Sequence, residues 1–176
     1  RTMLSAILSI ALAVVPIAVA AQATDEELAT PSHWTGTNTQ LPNWIPPGAE
    51  IEFFPWGYRN TAGLTFNIEA DDPRAAGEVN MVYVYDISDG EYVMGRGTGI
   101  ARLVNDGGTF EGPVYVIDYP DGSEFRMSLM DGQDGYEGLA LSMTDFISPG
   151  SAAGHPQGLI WEGEAPPIPD PDALPE

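Results

Sequence analysis

The sequence predicts an all-β domain: an antiparallel meander of about 7–9 strands, closed as a small up-and-down, calycin-like barrel or folded as a β-sandwich. Three observations carry that expectation. From Val79 to Thr144, alternating runs are cut by Asp-Gly pairs at Asp89-Gly90, Asp106-Gly107, Asp121-Gly122, Asp131-Gly132 and Asp134-Gly135. Asp-Gly between such runs marks a hairpin, because both residues tolerate the positive φ of a tight turn. The content of 20 Gly and 16 Pro favours a turn-rich β chain over a helical one. Finally, the pairings implied by separate turns sort the strands into the same two faces.

Residues 1–23 read as a secretory signal peptide, with Arg1 as the positive start, Leu4 to Ala20 as the apolar run and Ala21-Gln22-Ala23 as the cleavage site. The expected mature chain begins at Thr24 and is exported, periplasmic or extracellular. Residues 24–48 form a Pro-punctuated N-terminal segment that holds Trp34 and Trp44. Two tryptophans are unusual in a linker, so part of it is expected to pack on the domain, with a first strand opening at His33 to Thr37. Residues 49–164 are the barrel or sandwich domain. Glu50–Phe54 and Leu64–Glu69 are short strands, and Phe53-Phe54-Pro55-Trp56 is an aromatic knot expected in the core. A loop or single helical turn follows over Ala70 to Gly77. The meander then runs through Val79–Asp86, Tyr92–Val104, Phe110–Tyr119, Glu124–Met130 and Tyr136–Thr144, and Gly158–Glu162 adds a last strand after a loop. Residues 165–176, with five prolines among acidic residues, read as a disordered, extended tail.

The turns propose registers. Asp89-Gly90 as a two-residue turn sets Tyr83 opposite Arg96. Asp106-Gly107 sets Arg96 opposite Ile117 and Arg102 opposite Glu111. Asp121-Gly122 sets Ile117 opposite Arg126 and Val116 opposite Met127, and a loop from Asp131 to Gly135 sets Met127 opposite Leu139. One face then holds Val82, Val84, Val93, Leu103, Phe110, Val114, Val116, Phe125, Met127, Leu129, Leu139, Leu141 and Met143, the expected core. The other holds Met81, Tyr83, Tyr85, Met94, Arg96, Ile100, Arg102, Glu111, Tyr115, Ile117, Tyr119, Glu124 and Arg126. Glycine weakens strands, so Gly95, Gly97 and Gly99 on the core face imply close packing, strong coiling or room for an apolar ligand.

Charge and composition exclude several functions. The chain carries 26 acidic residues against six arginines and no lysine, a formal net charge of −20. Such a surface repels nucleic acid, and it repels anionic membranes once the leader is removed. There is no cysteine, hence no disulfide, thiolate metal site or Cys nucleophile. His33 and His155 fall in loop-like segments without a third ligand at metal spacing, so neither metal nor cofactor is expected. No nucleophile elbow, phosphate loop or zinc helix motif is present, and no catalytic residue is singled out.

The Tyr/Arg face is the candidate ligand surface, through Tyr83, Tyr85, Arg96, Arg102, Tyr115 and Arg126. Tyrosine and arginine dominate recognition hot spots, and arginine grips carboxylates and phosphates in bidentate fashion. The expected function is an exported, non-enzymatic β-barrel that binds a small amphipathic or anionic ligand, or a protein. One alternative is an envelope or extracellular protein–protein interaction or structural module. Gly97-Thr98-Gly99 followed by Gly108-Thr109-Phe110-Glu111-Gly112 resembles dirigent and allene-oxide-cyclase barrels, and Gly108 to Gly112 resembles a MORN repeat. Both resemblances rest on glycine and turn chemistry, so no site is carried over; a barrel isomerase- or cyclase-like enzyme is the remaining alternative.

Overall fold

The computed structural model describes residues 31–88, 94–151 and 153–167. The expected signal peptide, the expected turn at Asp89-Gly90 with Val93, and the expected tail from residue 168 lie outside the described residues. Nine strands follow one another: β1 (Ser32–Gln40), β2 (Glu52–Phe54), β3 (Gly57–Ala70), β4 (Gly77–Ser88), β5 (Gly95–Asn105), β6 (Gly108–Asp118), β7 (Glu124–Gln133), β8 (Leu139–Ile147) and β9 (Gln157–Glu162), with a 3-10 turn at Asp134–Tyr136. They form one antiparallel sheet in the order β1-β9-β8-β7-β6-β5-β4-β3-β2, and a further β1–β3 pairing joins its ends. The expected meander is therefore closed into a ring, with β2 lying beside β3 outside it.

β1 makes the closure by changing partners along its length. Ser32 to Thr35 pair with β9, and Gly36 to Gln40 pair with β3. The switch falls at Gly36, where a Cβ would stand 3.2 Å from the Ile68 side chain and 3.3 Å from Ala70 Cα. Glycine permits that approach, and the chain beyond it stays bonded to the loop after β8 through Gly36 N–H to Pro156 O at 2.9 Å and Asn38 N–H to Gly154 O at 3.2 Å. After β1 the chain continues along the edge of β3, where Trp44 and Gly63 exchange backbone hydrogen bonds of 3.0 and 2.9 Å.

A ring of eight strands leaves an interior just wide enough for side chains. Trp34 of β1, Leu64, Phe66 and Ile68 of β3, Val79 and Met81 of β4, Leu103 of β5, Phe110 and Val114 of β6, Met130 of β7, Leu141 and Met143 of β8 and Ile160 of β9 fill it. Trp34 thus confirms that the N-terminal segment packs on the domain. The Phe53-Trp56 knot, expected in the core, is instead at the surface: Phe53 is 81% exposed, and Phe54 and Trp56 stack on each other with centroids 4.9 Å apart. A three-residue strand outside the ring has no interior to fill.

Three of the four proposed registers are corrected, each by turn length. The β5–β6 pairing stands as expected, with Arg96 opposite Ile117 and Arg102 opposite Glu111. Between β4 and β5 the ladder extends to a Ser88 N–H to Met94 O bond of 2.8 Å. Tyr83 therefore faces Gly99, and β4 turns Met81, Tyr83 and Tyr85 inward and Val82 and Val84 outward. Between β6 and β7 the loop is Pro120-Asp121-Gly122, with Gly122 at φ 84° and its N–H bonded to Tyr119 O at 2.9 Å. That is a type I turn closed by a left-handed glycine, one residue longer than a two-residue turn. A one-residue slip exchanges the faces of a strand. Arg126 therefore lies inside opposite Val116, while Phe125, Met127 and Leu129 point outward. Between β7 and β8, Met127 faces Thr144 instead of Leu139, because β7 runs to Gln133 before the turn. This second change of parity cancels the first, so Leu141 and Met143 are core residues as expected.

The glycine row is explained by the corrected β4. Tyr83 and Tyr85 lie across β5 from the inside, and a Cβ on Gly97 would stand 2.9 Å from Tyr83 Cδ2 and 3.0 Å from Tyr85 Cδ2. The rings meet edge to face with centroids 5.8 Å apart. The space is thus taken by aromatic side chains of the neighbouring strand. At Gly99 a Cβ would run into the Val82 carbonyl and the Tyr83 backbone. Gly99→Val should therefore destabilise the fold by about 2–3 kcal/mol in urea titration, the scale of overpacking; an unchanged midpoint would refute the packing account.

Candidate functional site

The two ends of the barrel differ. At one, Asn105 Nδ2 donates to the carbonyls of Pro73, Arg74 and Ala76 at 3.3, 3.1 and 2.7 Å, pinning the β3–β4 connection. At the other, where β1, β4, β6 and β8 finish and β3, β5, β7 and β9 begin, charged side chains turn inward. This Asp118 end holds the polar residues from which a site can be built.

Arg126 is the centre of the inner cluster and is 1% exposed. Its guanidinium lies 5.2 Å over the Phe66 ring. Nε donates to Glu124, Nη2 donates to Gln40 Oε1 at 3.3 Å, and Nη1 stands 3.7 Å from Asp145 Oδ2. Asp145 also accepts from Asn38 Nδ2, and Asn38 Oδ1 accepts from Gly154 N–H at 2.8 Å. The ion pair is thereby tied to the closing strand and to the loop before β9. On the far wall, Tyr85 donates its hydroxyl proton to Asp118 Oδ2.

The electrostatics follow from crowding three carboxylates around one arginine. Burial, with Glu124 nearby, pushes the Asp118 carboxyl up to about 6, and Arg126 only partly opposes it. Burial likewise raises Asp145, since the pull of Arg126 does not offset the loss of water. Burial, with the neighbouring carboxylates, holds the Tyr83 phenol up at about 12, so it stays neutral. Elsewhere the order reverses: a two-pronged pair with Arg59 holds Asp86 below the usual carboxylate range, and Arg74 does the same for Asp72.

A second feature lies on the outer surface of β4, β5 and β6. Two adjoining grooves, of about 460 and 330 Å³, share Asp86, Arg96 and Ile117. The larger extends to Trp56, Ser88 and Gly95; the smaller to Arg59, Val84, Thr98 and Tyr115. Arg96 is exposed, and among the described residues it makes no salt bridge, whereas Arg59, Arg74, Arg102 and Arg126 each do. The two features approach each other at Gly95, which lines the larger groove, pairs with Asp118 and underlies the Tyr85 hydroxyl.

The six candidate residues are therefore divided by the sheet. Tyr83, Tyr85 and Arg126 face the interior, while Arg96, Arg102 and Tyr115 face outward. Arg96 and Tyr115 share the groove; Arg102 lies farther along β5, paired with Glu111 as expected. Asn38, Asp118, Asp145 and Arg59 were not singled out from the sequence, and Trp56 was read as a core residue. Asp145 had a usable signal, since it continues the inward series Leu141, Met143. His33 and His155 are both exposed, and among the described residues no group of three or more His, Asp or Glu is arranged to hold a metal.

Removing one member of a buried ion pair leaves the other uncompensated, which costs about 3–5 kcal/mol. Arg126→Ala should fall in that range in urea titration, whereas Arg96→Ala should stay within about 0.5 kcal/mol, as for an exposed side chain.

Stability should also be greatest in mild acid. Asp118 and Asp145 have folded values above their unfolded value of about 4, so the folded state binds more protons and gains stability as pH falls from above 6 toward 4. Asp86 and Asp72 have folded values below it; their contribution is complete above about 4 and is lost as pH falls through those values. The melting temperature should therefore peak near pH 4–5, and Asp118→Asn should flatten the limb above the peak.

No family model matches the chain, and no curated protein or solved structure matches it.

Proposed function

We propose that the chain is an exported, non-enzymatic barrel protein that binds a small amphipathic anion in the outer groove around Arg96. Export rests on the leader-like residues 1–23. The observation that carries the binding reading is Arg96 itself: an exposed arginine at the junction of two grooves with apolar walls, on a chain of net charge −20. Arg59 stands nearby, already gripped by Asp86, with Nε–Oδ1 and Nη2–Oδ2 at 2.6 and 3.0 Å. Among the described residues Arg96 is thus the guanidinium with donors to offer, and Val84, Ile117, Tyr115 and Trp56 supply the apolar contact. A carboxylate or phosphate head on Arg96 with an apolar body along these walls satisfies both parts.

Dodecanoate, dodecanol and dodecyltrimethylammonium separate charge from hydrophobicity in isothermal titration calorimetry. Dodecanoate should bind, more weakly as salt rises, and the other two should bind at least tenfold more weakly. A charge-assisted hydrogen bond contributes about 1.5–3 kcal/mol, so Arg96→Ala should weaken dodecanoate about tenfold or more, while Arg102→Ala leaves it within about twofold. Equal binding of all three probes, or an unaffected Arg96→Ala protein, would sink the reading. A protein-interaction module is favoured by one observation, the exposed Ile45, Ile51 and Phe53 beside the β2–β3 hairpin; in that case Phe53→Ser abolishes partner capture and leaves dodecanoate binding intact.

A further inference from the structure

The outer wall of the barrel is not uniform. On β1 and β3 the outward residues are polar or small, as at Thr35, Thr37, Thr65 and Asn67. On β4 to β7 two successive cross-strand rows are largely apolar. One sets Val82 beside Ile100, and the next runs from Val84 through Thr98 to Tyr115 and Met127; the apolar members are all exposed. The flanking rows carry Arg102 with Glu111 on one side, and Arg59 and Arg96 with Asp86 on the other. Three arginines against two carboxylates make this strip locally positive, on a chain of net charge −20.

The chain heads for the strip when it leaves the sheet. After β9, Gly163 N–H bonds to Gly138 O at 2.8 Å, which carries the backbone past the start of β8. Ala165 N–H then bonds to Asp131 Oδ1 of β7 at 2.5 Å. Between them Ala140 is fully buried although it faces outward, opposite both Trp161 and Asp131. The segment after β9 thus lies on the outside of the barrel and has crossed from β9 to β7. In the same row, Asp131 is followed by Glu111 of β6 and Arg102 of β5.

Reach and chemistry suit what remains of the chain. Strands lie about 4.8 Å apart and rise about 3.4 Å per residue, so Arg102 is about 10 Å from Asp131 and Arg96 about 20 Å farther along β5. Residues 168–176 are Ile-Pro-Asp-Pro-Asp-Ala-Leu-Pro-Glu. At about 3.1 Å per residue, the rise of a proline-rich extended chain, nine residues span roughly 28 Å. They bring three carboxylates, no base, and Ile168 and Leu174 as apolar side chains. A body of this net charge repels an acidic segment over most of its surface, and the arginine strip reverses the sign.

We propose that residues 168–176 dock on the strip of their own chain, with carboxylates on Arg102 and Arg96 and with Ile168 and Leu174 against the two apolar rows. The segment is an internal ligand of the Arg96 groove. Its docking stands on the path and charge of the chain; its competition with an amphipathic anion rests on the function proposed above.

The chain has no cysteine, so Ala173→Cys in the full mature protein takes a single nitroxide. In nitrogen-15 spectra the amide signals of Thr98, Ile100 and Tyr115 should lose intensity, and those of Thr35 and Thr37 on the far wall should not. Asp170→Asn, Asp172→Asn and Glu176→Gln together leave the barrel untouched and should restore the signals, as should about 1 M salt. Loss spread over both walls, no loss on β5 and β6, or loss that survives the three substitutions would overturn the docking. So would equal loss in nitroxide-free nitrogen-15 protein mixed with spin-labelled protein, because a second copy then supplies the segment. Dodecanoate reads the competition: protein ending at Pro167 should bind it about threefold or more tightly than the full chain, since apparent affinity scales with the unoccupied fraction. An unchanged affinity would overturn occupancy of the groove. Signal loss on β5 and β6 without any dodecanoate binding upholds the docking and sinks the function proposed above, whereas dodecanoate binding without that loss does the reverse.

Discussion

Closure of the sheet by β1 is the constraint on which the rest of the molecule depends. A sheet with two free edges leaves rows of unpaired backbone groups and has no defined inside. Once Gly36 to Gln40 join β3 while Ser32 to Thr35 remain on β9, the ring has an inside, and each strand must commit alternate residues to it. The interior of an eight-strand ring is small, so the commitment is strict. It admits Trp34 only because Gly158 is bare, and it admits Tyr83 and Tyr85 only because β5 presents glycines beneath them.

The same strictness explains how much was legible in the sequence. The β5–β6 hairpin was readable because Asp106-Gly107 is a true two-residue turn, with Asn105 paired to Gly108 on either side. The β6–β7 turn was misread by one residue although its signal was present: Pro120 suits the first central position of a type I turn, and Gly122 the left-handed position that follows. The sequence of β7 could not correct the error. Phe125, Met127 and Leu129 on one face and Arg126, Ser128 and Met130 on the other look, by alternation alone, like a core face and a wet face. What reverses them is Asp145 and Gln40, which face the Arg126 guanidinium from β8 and β1. A buried arginine is a tertiary fact, and local pattern does not encode it. The β4–β5 connection was longer than one Asp-Gly pair suggests, and that hid the inward turn of the two tyrosines.

The few arginines are distributed by the same logic. In a body of net charge −20 an arginine has carboxylates within easy reach, and Arg59, Arg74, Arg102 and Arg126 each engage one or more. The exposed pairs contribute little to stability because water competes for both partners. Arg126 is different: removed from water, it needs Glu124, Asp145, Gln40 and the Phe66 ring together, and burial in the same interior, with Glu124 nearby, raises Asp118 and Asp145.

β5 is where the interior and the proposed binding surface meet. Over its first half its inward positions are Gly95, Gly97 and Gly99, and its outward positions are Arg96, Thr98 and Ile100. With no side chains on the inner row, the tyrosine rings of β4 rest directly against the backbone that carries Arg96 on its other side. A single layer of backbone therefore separates Arg96 from Tyr85 and its hydrogen bond to Asp118. A bulkier inner row would have moved the rings away from the groove floor. The glycines that look like a weakness in the strand are what bring the groove within one residue of the Asp118 carboxyl, which burial pushes up to about 6.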